Sequence, residues 1–377
     1  MRRPLLSSCA AALLGAVFLN CTMAPKEVPS PPYGEVFELV EVFVLGEAPG
    51  DSIAEVGSFV EMETGFAIAD KLLPRVRTYA DDGALLAGFG RFGSGPWEFR
   101  GIDGVGALPS GKIVLAGRYK KGITVLNPDL TPDTLLSIPY LVSHVFSIGN
   151  DVVFSGLGPV SGDAITDEEL DRMPGFIHRV TRTEVAWSSW SGPVFDKPYH
   201  ESFVRNALAV SGDSIFVMAS LAYPATILDG VGDSVGVIGV PSRRFRPIPE
   251  IPMGYFATQQ SGPRMARFLA SFDDVSRLDV IHDDYLVFTI GRFDDERPWH
   301  PFFKLHTRVE VYDRHSGEKL YEDVALPQGS QVMGGGCFLY LLLNPDFPPW
   351  RIAKYRLAVA RTGCEARTAS SAGRSQG

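Results

Sequence analysis

One pattern recurs along most of this chain: a short apolar run, a turn of Asp, Asn, Ser or Gly, and a second apolar run. It is clearest from Gly65, where Phe66-Ala67-Ile68-Ala69-Asp70 reads as a strand, Val76–Tyr79 alternates like another, and Asp81-Asp82-Gly83 turns into Leu85-Leu86. The next unit runs through Gly104–Leu108, the turn Pro109-Ser110-Gly111, Lys112–Ala116, Gly122–Leu126 and Leu135–Ile138. Weaker copies begin at Val145–Ile148 with Val152–Ser155, at Ala207–Val210 with Ile215–Met218, at Asp279–Ile281 with Tyr285–Phe288, and at Gln331–Met333 with Cys337–Leu343. The cores fall near residues 60, 105, 145, 207, 280 and 332. The clearest spacing is about forty residues, the length of one four-stranded blade. The 39 Gly and 28 Pro are spread along the chain, which suits many strands and tight turns. The expectation is all-β: a six-bladed β-propeller of four-stranded antiparallel blades, closed by strands from both termini. Val36–Leu45 is left over and is assigned to the outer strand of the last blade, because closure removes a free sheet edge.

The two ends read differently from the middle. Arg2 and Arg3 precede an apolar stretch, Ala10–Leu19, too short to span a bilayer, so residues 1–24 read as an export signal. Phe18-Leu19-Asn20-Cys21 resembles a bacterial lipoprotein box, which makes Cys21 the candidate lipidation site; Asn20 departs from the usual small residue. Ordinary cleavage after Ala24 is the alternative. Residues 25–34 carry Pro25, Pro29, Pro31 and Pro32 and read as an extended linker. The propeller is expected over 35–363 and a disordered tail over 364–377. The location that follows is export, either as a membrane-anchored lipoprotein facing the periplasm or cell exterior, or as a secreted or periplasmic protein. Outside the cytoplasm disulfides persist, so Cys337 and Cys364 form a candidate pair. The alternative is a buried Cys337 thiol and a Cys364 in a frayed tail.

Gly65–Ala116 resembles the NHL-repeat family of β-propellers. The resemblance is carried by Ile68-Ala69-Asp70, by Arg75–Tyr79, by Asp82-Gly83 and by the junction Gly90-Arg91-Phe92-Gly93-Ser94-Gly95-Pro96-Trp97-Glu98-Phe99. Trp97 stands where the family has a third glycine, and the second repeat has Ala116-Gly117 in place of Ala-Asp. The resemblance implies a bacterial exported member with a six-bladed fold. Physically, Gly93 and Gly95 are expected to take positive φ at a blade-to-blade crossover, with Phe92 and Phe99 packing between sheets.

The formal net charge of −9 argues against a nucleic-acid partner and against direct binding to anionic membranes, leaving the N-terminal lipid as the sole membrane contact. His144, His178, His200, His282, His300, His306 and His315 show no helical metal-ligand spacing, and no Cys-x-x-Cys pair or Gly-x-Ser-x-Gly elbow occurs. No cofactor is therefore expected, apart from calcium at one of the acidic pairs Asp81-Asp82, Glu168-Glu169, Asp273-Asp274, Asp283-Asp284 or Asp294-Asp295, whose default role is turn chemistry. Two insertions are longer than blade turns, 162–174 and 242–267. The first contains Thr166-Asp167-Glu168-Glu169-Leu170, which reads as one short capped helix. The second gathers Arg243, Arg244, Phe245, Arg246, Tyr255 and Phe256, residue types that anchor interfaces. The expected role is a monomeric binding or scaffold module of the cell envelope, holding a protein or glycan through Arg243, Arg244, Phe245, Tyr255 and Phe256. The alternative, implied by the resemblance, is a metal-dependent lyase or lactonase with its site on the central channel.

Overall fold

The computed structural model describes residues 30–47, 50–118, 120–157, 175–180, 185–189, 206–219, 221, 223–249, 267–293, 306–344 and 348–360. The export signal with Cys21, the 162–174 insertion, Tyr255, Phe256, His200, His300 and Cys364 lie outside the described residues.

The strands are β1 (Phe37–Leu45), β2 (Val56–Glu61), β3 (Phe66–Asp70), β4 (Val76–Tyr79), β5 (Leu85–Phe89), β6 (Ile102–Ala107), β7 (Ile113–Gly117), β8 (Lys121–Leu126), β9 (Pro132–Ile148), β10 (Asp151–Leu157), β11 (Gly175–Val180) and β12 (Val185–Ser189). They continue as β13 (Asn206–Ser211), β14 (Ser214–Ala219), β15 (Ala225–Leu228), β16 (Ser234–Ile238), β17 (Asp274–Ile281), β18 (Tyr285–Arg292), β19 (His306–Asp313), β20 (Lys319–Ala325), β21 (Gln331–Gly334), β22 (Leu339–Leu342) and β23 (Trp350–Leu357). One helical turn, α1 (Tyr33–Val36), precedes them. All pairings between these strands are antiparallel.

The fold is an all-β propeller. Four-stranded meanders form from β2–β5, β13–β16 and β17–β20, and the sheet of β21–β23 takes β1 as its fourth, outer strand. The remaining sheet has seven strands, β6 to β12. Among the described residues hydrogen bonding therefore gives five sheets, where the sequence predicts six blades. The cause is β9, 17 residues long, which contains both Leu135–Ile138 and Val145–Ile148. Its first part pairs with β8 and its last with β10, so no turn separates the second and third units.

First strands of successive units stand side by side: β2 against β6, β6 against β9, β9 against β13, β13 against β17, and β21 against β2. The ring is completed where the His282 N–H donates to the Gly336 carbonyl at 2.8 Å. Close approach there demands glycine: a Cβ on Gly335 would lie 2.8 Å from the Asp279 Cβ and 3.0 Å from the Val280 carbonyl. Second strands are buried on both faces, as in Phe66–Asp70 and Ile113–Gly117, because sheets cover them from either side; their residues are apolar apart from such hydrogen-bonded groups as Asp70. The outer strand Leu85–Phe89 alternates between half-buried and exposed residues. Apolar clusters fill the spaces between successive units; one unites Phe43, Phe59, Phe66, Tyr79, Tyr340 and Trp350 across the closure. The closing strand runs antiparallel to β23 from Phe37 opposite Leu357 to Leu45 opposite Trp350.

The Ala-Asp signature has a plain physical role. Asp70, fully buried, accepts the N–H groups of Ala54, Glu55, Leu72 and Leu73 at 2.8, 3.3, 3.0 and 2.9 Å, so one carboxylate ties off the ends of two connections. In the glycine-rich junction the expectation holds only in part. Phe99 is buried, but Phe92 is 75% exposed and packs between no sheets. Gly95 is not among the positive-φ residues. The loop is held instead by Glu98, whose carboxylate accepts the Gly95 N–H at 2.9 Å and pairs with Arg91 at 2.9 Å.

This contrast is testable. Phe66→Ala is expected to cost about 3–5 kcal/mol, because Phe66 sits among four other rings at the closure. Phe92→Ala is expected to change stability by no more than about 0.5 kcal/mol. Urea unfolding of the two variants measures both, and equal losses would contradict the packing described.

Candidate recognition surface

The described part of the second insertion, 242–249, follows β16 at the passage from the β13–β16 sheet to the β17–β20 sheet. Gly239 turns the chain out of β16 with φ of 103°, and a Cβ there would lie 2.8 Å from the Phe288 ring. Val240 is then held by its backbone. Its carbonyl accepts the Lys319 ammonium at 2.7 Å, and its N–H donates to the Tyr312 hydroxyl at 3.2 Å. Lys319 and Tyr312 also converge on Glu310, at 3.1 and 2.7 Å, a carboxylate with no exposed surface. Burial pushes Glu310 above the ordinary carboxylate range despite the neighbouring Lys319.

The turn itself is pinned at three points. The Ser242 hydroxyl donates to Asp323 at 2.9 Å, and the Ser242 carbonyl accepts the Phe245 N–H at 3.1 Å. Phe245 packs edge-on against Tyr223, centroids 5.1 Å apart, and Tyr223 stacks on Phe288. The Arg246 N–H donates to Asp273 at 2.7 Å while the Asp273 N–H returns a bond to the Arg246 carbonyl at 2.9 Å.

Asp273 is the hub. Fully buried, it binds Arg292 through Nε at 2.7 Å and Nη2 at 3.0 Å, and Arg308 through Nη2 at 2.9 Å. Arg308 passes its Nε–H on to Asp323 at 2.7 Å, the same carboxylate that holds Ser242. Burial alone would raise the Asp273 pKa, but the bonds from Arg292, Arg308 and the Arg246 N–H outweigh it and hold the carboxyl below its usual range. The network draws on the lead into β17, on β18, β19 and β20, and on the insertion.

The sequence-predicted residues separate accordingly. Arg243 and Arg244 are exposed, and among the described residues neither side chain has a hydrogen-bond or ion-pair partner; the same is true of the exposed Arg246 guanidinium. Phe245, grouped with them as a contact residue, is half-buried against Tyr223 and anchors the turn. Tyr255 and Phe256 fall outside the described residues. Asp273, expected to act in a turn with Asp274, is instead the ionic centre beneath it. Partners from four separate segments make that centre, and no local spacing signals it.

The remaining candidates are elsewhere. Cys337 is disulfide-bonded; Cys364 lies outside the described residues. The Cys337 N–H donates to Glu61 at 2.6 Å, which also accepts the Tyr340 hydroxyl at 2.9 Å. Asp81 and Asp82 accept the Gly65 and Ala84 N–H groups, Asp283 accepts from Ser211, and Asp284 meets His315 at 3.2 Å. Among the described residues no three His, Cys, Asp or Glu side chains gather closely enough to hold a metal ion.

Removing the hub is expected to be severe. Asp273→Ala leaves two arginines, 19% and 12% exposed at their side chains, without their shared carboxylate. The expected loss is about 3–5 kcal/mol. The folded pKa of Asp273 lies below the unfolded value, so its contribution is complete above about pH 4 and fades as the pH falls through the folded value. The gap in urea midpoint between wild type and variant is therefore expected to narrow in strong acid. A gap independent of pH would contradict this assignment.

No protein-family profile matches the sequence, and no curated protein is similar to it in sequence. Solved structures do resemble it in shape. A Bacteroides fragilis protein named as exported has a TM-score of 0.57 at 12% identity, over 88% of this chain and 98% of its own. A DUF4221 family member from Bacteroides vulgatus has a TM-score of 0.55 at 14% identity, over 86% of this chain and 99% of its own. At these identities the likeness concerns the fold, and it supports the propeller.

Proposed function

We propose that this chain is an exported, lipid-anchored six-bladed propeller that serves as a binding module of the cell envelope, with the arginine turn at 243–246 as its contact surface. The observation that carries the reading is the contrast within that turn. Its backbone, Ser242 and Phe245 are fixed by a buried network, while three guanidiniums are presented outward with no partner of their own among the described residues. With the backbone of the turn already fixed, a binding partner has only the arginine side chains left to order, and each planar guanidinium offers a preorganised fork of donors, which favours recognition.

The six-blade count is supported by β9, whose two parts serve different neighbours, and by the apolar clusters that follow one another around the ring. The NHL-like relationship is supported by Asp70, which shows why an Ala-Asp pair ends β3. Export and anchoring rest on residues 1–24 and Cys21, and the likeness to a protein named as exported agrees with them. The Pro-rich residues 25–34 then act as the spacer between lipid and propeller.

The test is in-cell cross-linking of the full-length protein with its own signal. Arg243→Glu with Arg244→Glu is expected to reduce partner capture by about tenfold or more while leaving the thermal midpoint unchanged. Capture at the wild-type level would remove these arginines from the site. In the same cells Cys21→Ser is expected to abolish palmitate labelling and release the protein from membranes.

A further inference from the structure

The arginine turn lies directly beyond an uncharged edge strand. In the sheet ordered β13-β14-β15-β16, β16 is the last strand, so among the described residues the backbone groups on its outer side have no strand partner. Free edges of this kind are ordinarily blunted by charge, proline or a covering element. Among the other outer strands, β1 carries Glu38 and Glu41 and β20 carries Lys319 and Glu322. In contrast, β16 reads Ser234-Val235-Gly236-Val237-Ile238, with no charge and no proline. The outer strand β5, Leu85–Phe89, is uncharged too, but the arginine just beyond it, Arg91, is paired with Glu98 at 2.9 Å. Val235 and Val237 are 63% and 64% exposed, and Val231 and Val240 on either side are 66% and 65% exposed. Ile238 is buried and fixes the strand's facing, so the exposed valines have no part in the core.

Two features thus meet at one place: an uncharged apolar sheet edge and, five residues past its end, exposed arginines. Five residues of chain reach at most about 17 Å, within the length of a short added strand. The charge there is also opposite to the rest of the protein, which has 44 acidic against 35 basic residues.

Resting on the binding reading above, we propose that β16 and the arginine turn together take an extended protein segment as an added strand. The segment has aliphatic or β-branched residues alternating along β16 and acidic residues at the end that meets Arg243 and Arg244. Main-chain bonds to the free edge supply affinity, Val235 and Val237 supply shallow apolar contact, and the guanidiniums set the register by pairing with carboxylates. A glycan is the poorer occupant, because the aromatic ring on this turn, Phe245, is already engaged by Tyr223.

The test uses the purified full chain and a labelled peptide of about ten residues, acidic at one end and alternating Val and Thr along the rest, titrated by fluorescence anisotropy. Binding is expected, and it is expected to weaken by about tenfold or more when alternate peptide amides are N-methylated, when Val235→Lys and Val237→Lys are combined, or when Arg243→Glu and Arg244→Glu are combined. A peptide with Lys in place of its acids is expected to recover binding to the arginine-reversed variant. Both variants change exposed side chains, and an unchanged thermal midpoint separates lost binding from lost folding. The proposal is overturned if the methylated peptide binds as well as the parent, if the valine substitutions have no effect, or if envelope glycan fragments displace the peptide. It is equally overturned if sedimentation shows a self-associated protein that the valine substitutions make monomeric, since the occupant is then a second copy. Absence of peptide binding while envelope capture still depends on Arg243 and Arg244 removes this proposal and leaves the binding module standing; loss of both removes both.

Discussion

Pairing of Phe37–Leu45 with Trp350–Leu357 is the constraint on which the rest of the molecule depends, because it joins the two ends of a chain whose sheets cannot stand alone. The second strand of each unit is buried on both faces and needs a neighbouring sheet on either side. A ring supplies two neighbours to every sheet only if it closes. The closure is secured beyond its ladder. The Trp350 indole donates to the Ile53 carbonyl at 2.9 Å, and the Tyr79 hydroxyl donates to Asp51 at 2.6 Å, so the chain between β1 and β2 is fastened to β23 on one side of the closure and to β4 on the other. Loss of that seam would open the aromatic cluster around Phe66 and expose the edge of β23.

Among the charges buried in the described residues, the Asp273 network has a visible external consequence. A buried carboxylate shared by Arg292 and Arg308 is weak support for net stability, since desolvation opposes the ion pairing. Its effect is positional. By taking the Arg246 N–H as well, and by linking through Arg308 to Asp323 and Ser242, it fixes a turn that has little apolar surface to hold it. Glu310, next to it beneath Val240, is shifted in the opposite sense because burial dominates there. The two carboxylates therefore respond to pH in opposite directions: folding is favoured by ionisation of Asp273 and by protonation of Glu310.

Much of the architecture was legible in local sequence. The apolar run Phe66–Asp70, the Asp-Gly turn at 82–83 and the surplus strand at 37–45 led to blades and to closure, because turn chemistry and strand periodicity act over a few residues. The seven-stranded sheet was not legible: residues 139–144 include Pro139, a local signal for a break, yet β9 runs through it, because whether a strand continues is decided by the neighbours on which it docks. Phe92 misled for the same reason, since ring size suggests burial while Glu98 and the loop backbone hold the ring outside. At the candidate surface, composition pointed to Arg243 and Arg244, but Phe245 belongs to the support and Asp273 to the foundation. The valines of β16 carried a usable signal, an uncharged strand with alternate Val. It becomes informative only once the topology places that strand at an edge.

The most direct test of a preformed edge-and-arginine surface is amide hydrogen exchange, read by mass spectrometry, on the full chain with and without the acidic Val/Thr peptide. The account predicts that the Phe245 and Arg246 amides are protected before any peptide is added, and that added peptide slows exchange in 234–238 while the other outer strands are unchanged. Rapid exchange throughout 242–246 in the free protein, or peptide-induced protection that bypasses β16, would contradict it.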